Sequence, residues 1–459
     1  MTTSAYPIDT LRAELPALDW ITEPHRVENL SRDFAWYSPV LERTLAGKHG
    51  DIAVRPRSED EIRAVVGACA RLAIPITLRG TGTGNYGQCT PLHGGLILDM
   101  SAYNAFLWAR PGVGRAQAGI RLAAFDDAAR PLGWELRWLP STFRSATLGG
   151  LFGGGFGGAG SLRYGPLAAP GNILAVRAMT VEPEPQIIEL RGPEALVMHH
   201  VYGTNGIVLE LEVGLAPAHD WLEGVATFDD FDAALRFGAD LGRAPGLVTK
   251  EVSFMAAPIT DYFTKLGLPQ GRHAVVFLAA EFCEETIAQM LAERGGTLSY
   301  RATAAEVAAS RRTLLEYVWN HTTLHAFKVE KNLTYIQSAY NPSCYLEQVR
   351  TLAQRFAGEV QMHVEFLRTK EGEYSCSGLE IICTRDETRL AEIMQAYRDS
   401  GVVINNPHTC YVEEGKQNLK LNPQVLAMKQ RFDPQGLLNP GKLKSWAPAQ
   451  PLAQEPAHA

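Results

Sequence analysis

The sequence predicts an α+β protein of at least two domains, and three observations predict it. Helical and strand patterns alternate through the first half of the chain. Two glycine-rich stretches, residues 79–87 and 147–165, interrupt that alternation. Past Pro217 the glycine clusters vanish and apolar strand patterns such as Ala274-Val275-Val276-Phe277-Leu278 begin. At about 150 residues per domain, a chain of 459 residues has room for two or three domains.

In chain order, residues 1–47 read as a helical lead-in. Ser58 caps the first clear helix, and Glu61 three residues on completes a capping box. Ile62, Val65, Val66, Cys69 and Ala73 recur at helical spacing and give that helix one apolar face. Residues 74–78 then form a strand that enters Arg79-Gly80-Thr81-Gly82-Thr83-Gly84-Asn85-Tyr86-Gly87. Residues 95–99 form the next strand, so the motif reads as strand, tight turn, strand. Four glycines in eight residues let backbone N–H groups converge without Cβ interference, which suits a phosphate. Thr81 and Thr83 add hydroxyl donors and Arg79 a charge. A glycine-rich loop without a ligand is the alternative at this point.

A short strand over 115–120 precedes a helix with Leu122, Phe125, Ala129 and Leu132 on its apolar face. Gly133 suits its C′ position. Leu139-Pro140-Ser141 then opens the stretch 147–165, with nine glycines in nineteen residues. At about 1 kcal/mol each relative to alanine, they argue against a mostly helical segment. Interleaved with Leu, Phe and Tyr, they predict a wall of backbone against which something large and flat lies, rather than a polar linker. Strands follow over 173–181 and 207–213, the second after an Asn205-Gly206 turn. The expected layout is a lead-in at 1–47, a first domain at 48–217 and a second at 218–410. A C-terminal segment at 411–445 returns to the first domain, and a Pro/Ala/Gln tail at 446–459 is expected to be disordered.

Hydrophobic residues are 46% and charged residues 20%, ordinary for a globular protein. A net charge of −7 with scattered Lys and Arg leaves no broad basic face for nucleic acid. No apolar run reaches the length of a transmembrane helix. The N-terminus lacks the basic region and apolar core of a secretory signal. Seven cysteines, spread and without CxxC, argue against a disulfide framework or a cysteine zinc site. Reduced thiols fit a cytoplasmic protein, with peripheral attachment at the inner membrane left open.

Four segments in this order carry a resemblance: Pro56-Arg57-Ser58-Glu59-Asp60-Glu61-Ile62, the 79–87 turn, Pro140…Thr147-Leu148-Gly149-Gly150…Tyr164-Gly165, and Asn439-Pro440-Gly441-Lys442. Together they resemble the FAD-linked oxidoreductases of the vanillyl-alcohol oxidase and p-cresol methylhydroxylase (PCMH) type. Within these, the chain is similar to the flavin-linked glycolate and D-lactate dehydrogenase branch, whose turn also reads Arg-Gly-x-Gly-Thr-Gly. The match covers roughly 48–217 and 425–443. It implies a two-subdomain PCMH-type FAD-binding domain, and a substrate or cap domain with an antiparallel sheet flanked by helices. It also implies bound FAD. Amides of Gly80, Thr81, Gly82, Thr83 and Gly84 would hold the pyrophosphate, with Arg79 beside them. Pro140, Ser141, Thr147, Gly149, Gly150, Gly157 and Tyr164 would line the ribityl and isoalloxazine side. Gly206, Ile207 and Val208 would touch the adenosine end or the flavin edge, and Asn439 and Lys442 would return to the flavin from the C-terminus. The first turn holds no histidine, and His93 lies six residues past Gly87, so non-covalent FAD is expected.

The implied activity is that of an FAD-dependent oxidoreductase acting on CH–OH groups. Hydride passes to flavin N5 and a side chain takes the hydroxyl proton. The expected substrate is a small D-2-hydroxy acid of the D-lactate or glycolate type, with oxygen, a quinone or a cytochrome as electron acceptor. A homodimer is the assembly envisaged. His321 and His325 share a helix face at i,i+4 but lack the carboxylate of a HExxH motif. His321 is a candidate base, with structural histidines as the alternative. Arg312 and Lys328 are candidates to hold a substrate carboxylate. Lys328-x-Glu330-x-Asn332 departs from the branch's Lys-x-Asp-x-Ser type segment, and a salt-bridged surface strand is the alternative. His408, next to an apolar and aromatic run, is the other candidate base. The branch's metal segment His-x-Gly-Asp-Gly-Asn-x-His is missing, and its Glu-His-Gly reads Glu413-Glu414-Gly415. His363 and Glu365 share a strand face but make a poor site alone, so no divalent metal is assigned. These departures keep two other readings open. One is oxidation of a larger alcohol, phenol or sugar-like substrate in an aromatic pocket of Trp319, Phe327, Tyr335 and Tyr411. The other is a non-catalytic FAD-holding subunit of a multi-subunit dehydrogenase, against which a full second domain argues.

Overall fold

The computed structural model describes residues 5–415 and 421–446; the tail read as disordered lies, Trp446 apart, outside them. The first sheet has four strands. Ile52–Val54 and Ile76–Arg79 both pair parallel with Leu96–Asp99, and Trp20–Ile21 adds an antiparallel edge. This pairing corrects the tight turn read between the strands. Adjacent parallel strands require the chain to travel back before pairing again, and residues 80–95 make that return without helix or strand.

The helix Glu59–Leu72 covers this sheet, with Ile62, Val65, Val66 and Cys69 fully buried. Ser58 Oγ accepts the Glu61 N–H at 3.2 Å. Glu61 reaches back one residue further than a capping box requires, to the Arg57 N–H at 2.6 Å. Ala73 ends the helix at φ 52° instead of extending its apolar face.

The second sheet is antiparallel, in the order Phe106–Arg110, Val113–Gln117, Ile207–Pro217, Ile173–Met179, Ile187–Arg191, with Trp134–Leu136 on the far end of the long strand. The helix Leu122–Ala129 buries Leu122, Phe125 and Ala129. Leu132 departs from the predicted face and is 55% exposed, because the chain tightens into a 3-10 turn at Arg130–Leu132 and rotates it away.

The glycine stretch 147–165 is also corrected. More than half of it is helical, in Leu148–Gly154 and Ser161–Tyr164. Close packing outweighs propensity here. A Cβ on Gly149 would stand 2.7 Å from Ala118 Cβ, and one on Gly154 2.8 Å from Gln88 Nε2. The helix can lie this near its neighbours only because it lacks side chains.

The third sheet has eight antiparallel strands, in the order Thr297–Ala302, Trp221–Phe228, His273–Ala280, Thr249–Met255, His363–Arg368, Tyr374–Gly378, Ser338–Ala339, Val403–Ile404. Strand alternation divides its residues between two faces. Phe254, Phe277 and Phe366 pack with the helices Phe231–Arg243, Glu284–Glu293, Tyr345–Arg355 and Glu387–Asp399. Met255, Val276 and Leu278 belong instead to the core that continues into the second sheet. The C-terminal segment comes back to the first sheet: Ile76 N–H donates to Leu437 O at 2.8 Å and Asn439 N–H to Ile76 O at 2.7 Å.

Candidate functional site

The 80–95 connection, the second glycine stretch and the inner face of the large sheet meet around one cavity of about 520 Å³. Thr81, Gly82, Thr83 and Gly84 line it, and their backbone N–H groups donate to no partner among the described residues. Four consecutive free donors make a concave positive edge. The glycines are sterically required. A Cβ on Gly80 would stand 2.2 Å from Thr147 Oγ1, one on Gly84 2.0 Å from Gln88 Oε1, and Gly82 sits at φ 69°. In the adjoining helix Leu148–Gly154, a Cβ on the cavity-lining Gly153 would meet nothing within 4 Å, so bare helix backbone faces the space.

Of the other residues assigned to the cofactor, Arg79, Gly80, Pro140, Ser141, Thr147, Gly149, Gly150, Gly157, Gly206 and Val208 also line this cavity. Tyr164, Ile207, Asn439 and Lys442 are not among its lining. The Arg137 guanidinium lies over the Tyr164 ring, 5.0 Å from its centroid, and Ile207 is buried in the core of the first sheet. Asn439 Nδ2 donates to Gln88 O and Tyr202 O, both at 2.8 Å, and Lys442 Nζ donates to Gly87 O at 2.6 Å. They brace the glycine connection from behind. Arg79 is partly a tether as well: Nη1 donates to Leu30 O at 2.6 Å and Arg32 O at 2.8 Å. The Thr81 hydroxyl is spent on Ser145 O at 2.8 Å. Burial pushes the nearby Asp33 carboxyl up to about 6, opposed by Lys442 and Arg79.

The opposite wall comes from the second half of the chain. Trp319, Asn320, His321 and Leu324 stand at the start of the helix Asn320–Val329, and Gln337, Ser338, Ser377, Gly378, Asn405 and Asn406 continue the surface. Tyr86 OH donates to Gln337 Oε1, joining the two walls. Burial, with Lys328 adding to it, pushes the His321 imidazole down to about 4. His321 is therefore neutral near pH 7: a hydrogen-bonding group, and a weak proton store. His325 turns away, stacked on Tyr317 with centroids 4.5 Å apart and Nε2 3.1 Å from Glu316 O.

Three sequence assignments are displaced. His408 is buried outside the cavity lining, with Nε2 2.8 Å from Tyr335 O and Nδ1 2.8 Å from Ser38 Oγ. A carbonyl only accepts, so Nε2 carries the proton and Nδ1 takes the Ser38 hydroxyl proton. Neither nitrogen is left for a substrate. Arg312 and Lys328 are exposed and do not line the cavity, so they cannot clamp an acid within it. Of the proposed aromatic pocket, Trp319 lines the cavity, whereas Phe327, Tyr335 and Tyr411 do not. His363 and Glu365 do face the same side, but they bond each other, Nε2 to Oε1, at 2.8 Å. Among the described residues no group of three or more His, Cys, Asp or Glu is arranged to hold a metal.

Sequence reasoning missed the buried carboxyls behind the wall. Glu365 Oε1 accepts the Trp319 N–H at 2.6 Å and Glu251 Oε2 accepts its indole N–H at 2.9 Å. Glu380 lies behind Ser338. One signal was available: Gly378 inside a strand pattern marks a close approach.

Comparison with known proteins bears on the same regions. The FAD binding domain family matches residues 50–189. The glycolate oxidase subunit GlcD of Bacillus subtilis (strain 168) is 24% identical over 433 residues, covering 86% of this chain and 88% of that protein. An uncharacterized FAD-linked oxidoreductase of Mycobacterium tuberculosis (strain ATCC 25618 / H37Rv) is 26% identical over 430 residues, covering 85% and 90%. Among solved structures, an alkyldihydroxyacetonephosphate synthase superposes with a TM-score of 0.70 at 15% identity, over 96% of this chain and 86% of that one. That likeness bears on the fold.

Proposed function

Since this chain belongs to the FAD-linked oxidoreductases of the PCMH type and is an FAD-dependent enzyme, we propose that it oxidises the hydroxyl-bearing carbon of a small D-2-hydroxy acid, with FAD held non-covalently. The observation that carries this reading is a cavity with free amides at one edge and neutral polar side chains on the facing wall. A pyrophosphate fits the amides of residues 81–84, and a flat ring fits the backbone left bare at Gly153. FAD, when bound, supplies the hydride acceptor. The chain's own residues do the rest. Asn320 and the neutral His321 orient the acid by hydrogen bonds, and Trp319 and Leu324 keep water from that end of the cavity. The names of two relatives support the substrate class: the glycolate oxidase subunit above and a D-lactate dehydrogenase of Archaeoglobus fulgidus (strain ATCC 49558 / DSM 4304 / JCM 9628 / NBRC 100126 / VC-16), 28% identical over 142 residues, covering 28% of this chain and 32% of that protein.

A second reading has its own observation. Among the described residues that line the cavity, Arg79 is the one Lys or Arg, and it is tethered to the lead-in. That favours a larger, neutral hydroxylated substrate. The free thiols support a cytoplasmic location. Among the described residues no helix is long and apolar enough to cross a membrane. The acceptor in this reading is oxygen, a quinone or a cytochrome.

The test is anaerobic bleaching of the FAD-loaded protein by D- and L-2-hydroxy acids, then by larger alcohols, phenols and sugars. Bleaching by D-acids alone supports the first reading, and bleaching by the larger compounds alone transfers the assignment to the second. Bound flavin that nothing bleaches points to a non-catalytic subunit. Flavin that stays with the precipitate in acid overturns non-covalent binding.

A further inference from the structure

We propose that the carboxylate of the substrate is held by two neutral amides, Gln337 and Asn405, in place of a cation; this rests on the hydroxy-acid reading above. Strand register fixes which side chains reach the cavity. Phe254, Val364, Gly378, Ser338 and Ile404 are successive partners across the large sheet, and Phe254, Val364 and Ile404 belong to the helix-packed core. Residues one step along each strand point to the other face. One such row starts at Met255 and His363, which are in register. It continues through Leu379, whose N–H donates to His363 O at 2.9 Å. It ends at Gln337 and Asn405, where the Asn405 N–H donates to Gln337 O at 2.9 Å. Met255 lies in the core shared with the second sheet, and Leu379, Gln337 and Asn405 all line the cavity. Residues directly opposite on neighbouring strands have Cβ atoms about 5 Å apart, so the two amides stand side by side.

The Gln337 amide has a fixed orientation. Its Oε1 accepts the Tyr86 hydroxyl from the opposite wall, which leaves both Nε2 hydrogens without a partner among the described residues. Asn406, which also lines the cavity, is turned likewise: its Oδ1 accepts the His408 N–H at 3.0 Å. A backbone N–H only donates, so the Asn406 Nδ2 hydrogens are the ones left over. The Asn405 side-chain amide bonds nothing among the described residues.

Unspent amide hydrogens call for an acceptor. The oxygens of a carboxylate only accept, and hydrogen bonds to an ionised acceptor are the strong ones. The surroundings admit the charge. Glu365 lies two strands from Gln337, about 10 Å at the usual strand spacing, and its oxygens are engaged by Trp319, His363 and Ser253. Asn320 supplies the converse group. It lines the cavity, and its buried Oδ1 has no hydrogen-bond partner. An acceptor there suits the substrate hydroxyl, which donates. Donors for a carboxylate and an acceptor for a hydroxyl are the two halves of a 2-hydroxy acid.

FAD-loaded Gln337→Glu and Asn405→Ala test the assignment against wild type, at mildly alkaline pH where a glutamate is charged. Gln337→Glu keeps the oxygen that Tyr86 bonds and replaces only the donor, by an anion. Pyruvate and its neutral amide are the binding probes, read by perturbation of the flavin spectrum. Bleaching by D-lactate and glycolate reads the reaction. Pyruvate binding is expected to weaken at least about 100-fold in Gln337→Glu, with pyruvamide binding within about threefold of wild type. In Asn405→Ala, pyruvate binding should weaken about 10-fold. Undiminished pyruvate binding in Gln337→Glu overturns the proposal. Equal loss of pyruvate and pyruvamide also overturns it, because Gln337 then serves only to brace Tyr86. If neither hydroxy acid bleaches wild type, the reaction reading fails and pyruvate binding alone judges the amides. Its loss in Gln337→Glu then upholds a carboxylate site, and wild type that binds no pyruvate refutes one.

Discussion

Glu365 holds Trp319 by its main chain: the Trp319 N–H donates to Glu365 Oε1 at 2.6 Å, with Trp319 at φ 53° and ψ −143°. A non-glycine residue there is strained by about 1–3 kcal/mol and persists only when its surroundings over-determine it. Glu251 adds the second restraint at the indole N–H. The pair thus fixes one wall of the cavity and the start of the helix that carries His321.

The two carboxyls should respond differently to amide replacement. Burial pushes both carboxyls above the usual carboxylate range, Glu251 further because Glu365 raises it while the hydrogen bond from Glu251 lowers Glu365, so Glu251 is the one that holds the pair's proton more tightly. Glu251→Gln keeps an acceptor for Trp319 and a donor for Glu365, and should change stability by less than about 1 kcal/mol. Glu365→Gln turns a donor toward Ser253 and Glu251, and should cost about 3–5 kcal/mol. Thermal unfolding compares them. Equal losses would refute the assignment of the proton.

Gly153→Val should separate folding from cofactor binding. The new side chain meets no protein atom within 4 Å at its Cβ, and valine is at least as good in a helix as glycine. Melting of the FAD-free protein should be unchanged or slightly raised, while FAD affinity falls at least about 100-fold, since the side chain enters the space a ring would fill. Flavin fluorescence titration measures it.

Lys442→Met should loosen the glycine connection. The Lys442 ammonium is buried, its pKa lowered by that burial, and its Nζ bonds Gly87 O at 2.6 Å. Methionine leaves that carbonyl without its donor and Asp33 without one of its two stabilising cations. A loss of about 2–4 kcal/mol in stability is expected, with weaker FAD binding. Unchanged FAD affinity would show that the brace is dispensable.

His408→Asn, Arg312→Ala and Lys328→Ala should leave the rate of flavin bleaching per bound FAD within about twofold of wild type, because none lines the cavity. His408→Asn should still lower stability by about 1–3 kcal/mol through its two lost hydrogen bonds. A large rate loss at Arg312 or Lys328 would return the acid clamp to them.

Glu223 and Glu380 should each contribute a loss of stability as pH rises from about 4.5 to about 7, against the opposite contribution of His321, His325, His363 and His408, which burial pushes down to about 4. Glu223 and Glu380 are both pushed up to about 7 by burial, from 4.5. Between those limits these two carboxyls hold protons in the folded state that the unfolded chain has released, so their contribution to the slope of stability with pH is negative. Glu380→Gln removes one share of that slope. Its melting temperature should gain on wild type as pH rises through this window, by the equivalent of about 1–3 kcal/mol. A constant difference across pH would mean that Glu380 does not titrate there.

Much of the first half was legible because its signals are local. Ser58 caps its helix, and Val65, Val66 and Cys69 are buried on the predicted face. Thr81, Gly82, Thr83 and Gly84 lie together on one cavity edge. The parallel pairing across residues 80–95 was not legible, because a glycine run reports backbone freedom and says nothing of strand direction. The helix Leu148–Gly154 was missed because its stability comes from contact with Ala118 and Gln88 rather than from propensity.

Sequence alone determined the kind of cofactor cradle and the class of chemistry. Both are written in contiguous residues whose backbone properties survive out of context. Only the tertiary structure decided which residues line the cavity. It left Arg312, Lys328 and His408 out of the cavity lining and brought Trp319, Asn320 and His321 into it. The reason is physical: a side chain's exposure and the free energy of its charge depend on what strands from distant parts of the chain set beside it, and no local pattern encodes that neighbourhood.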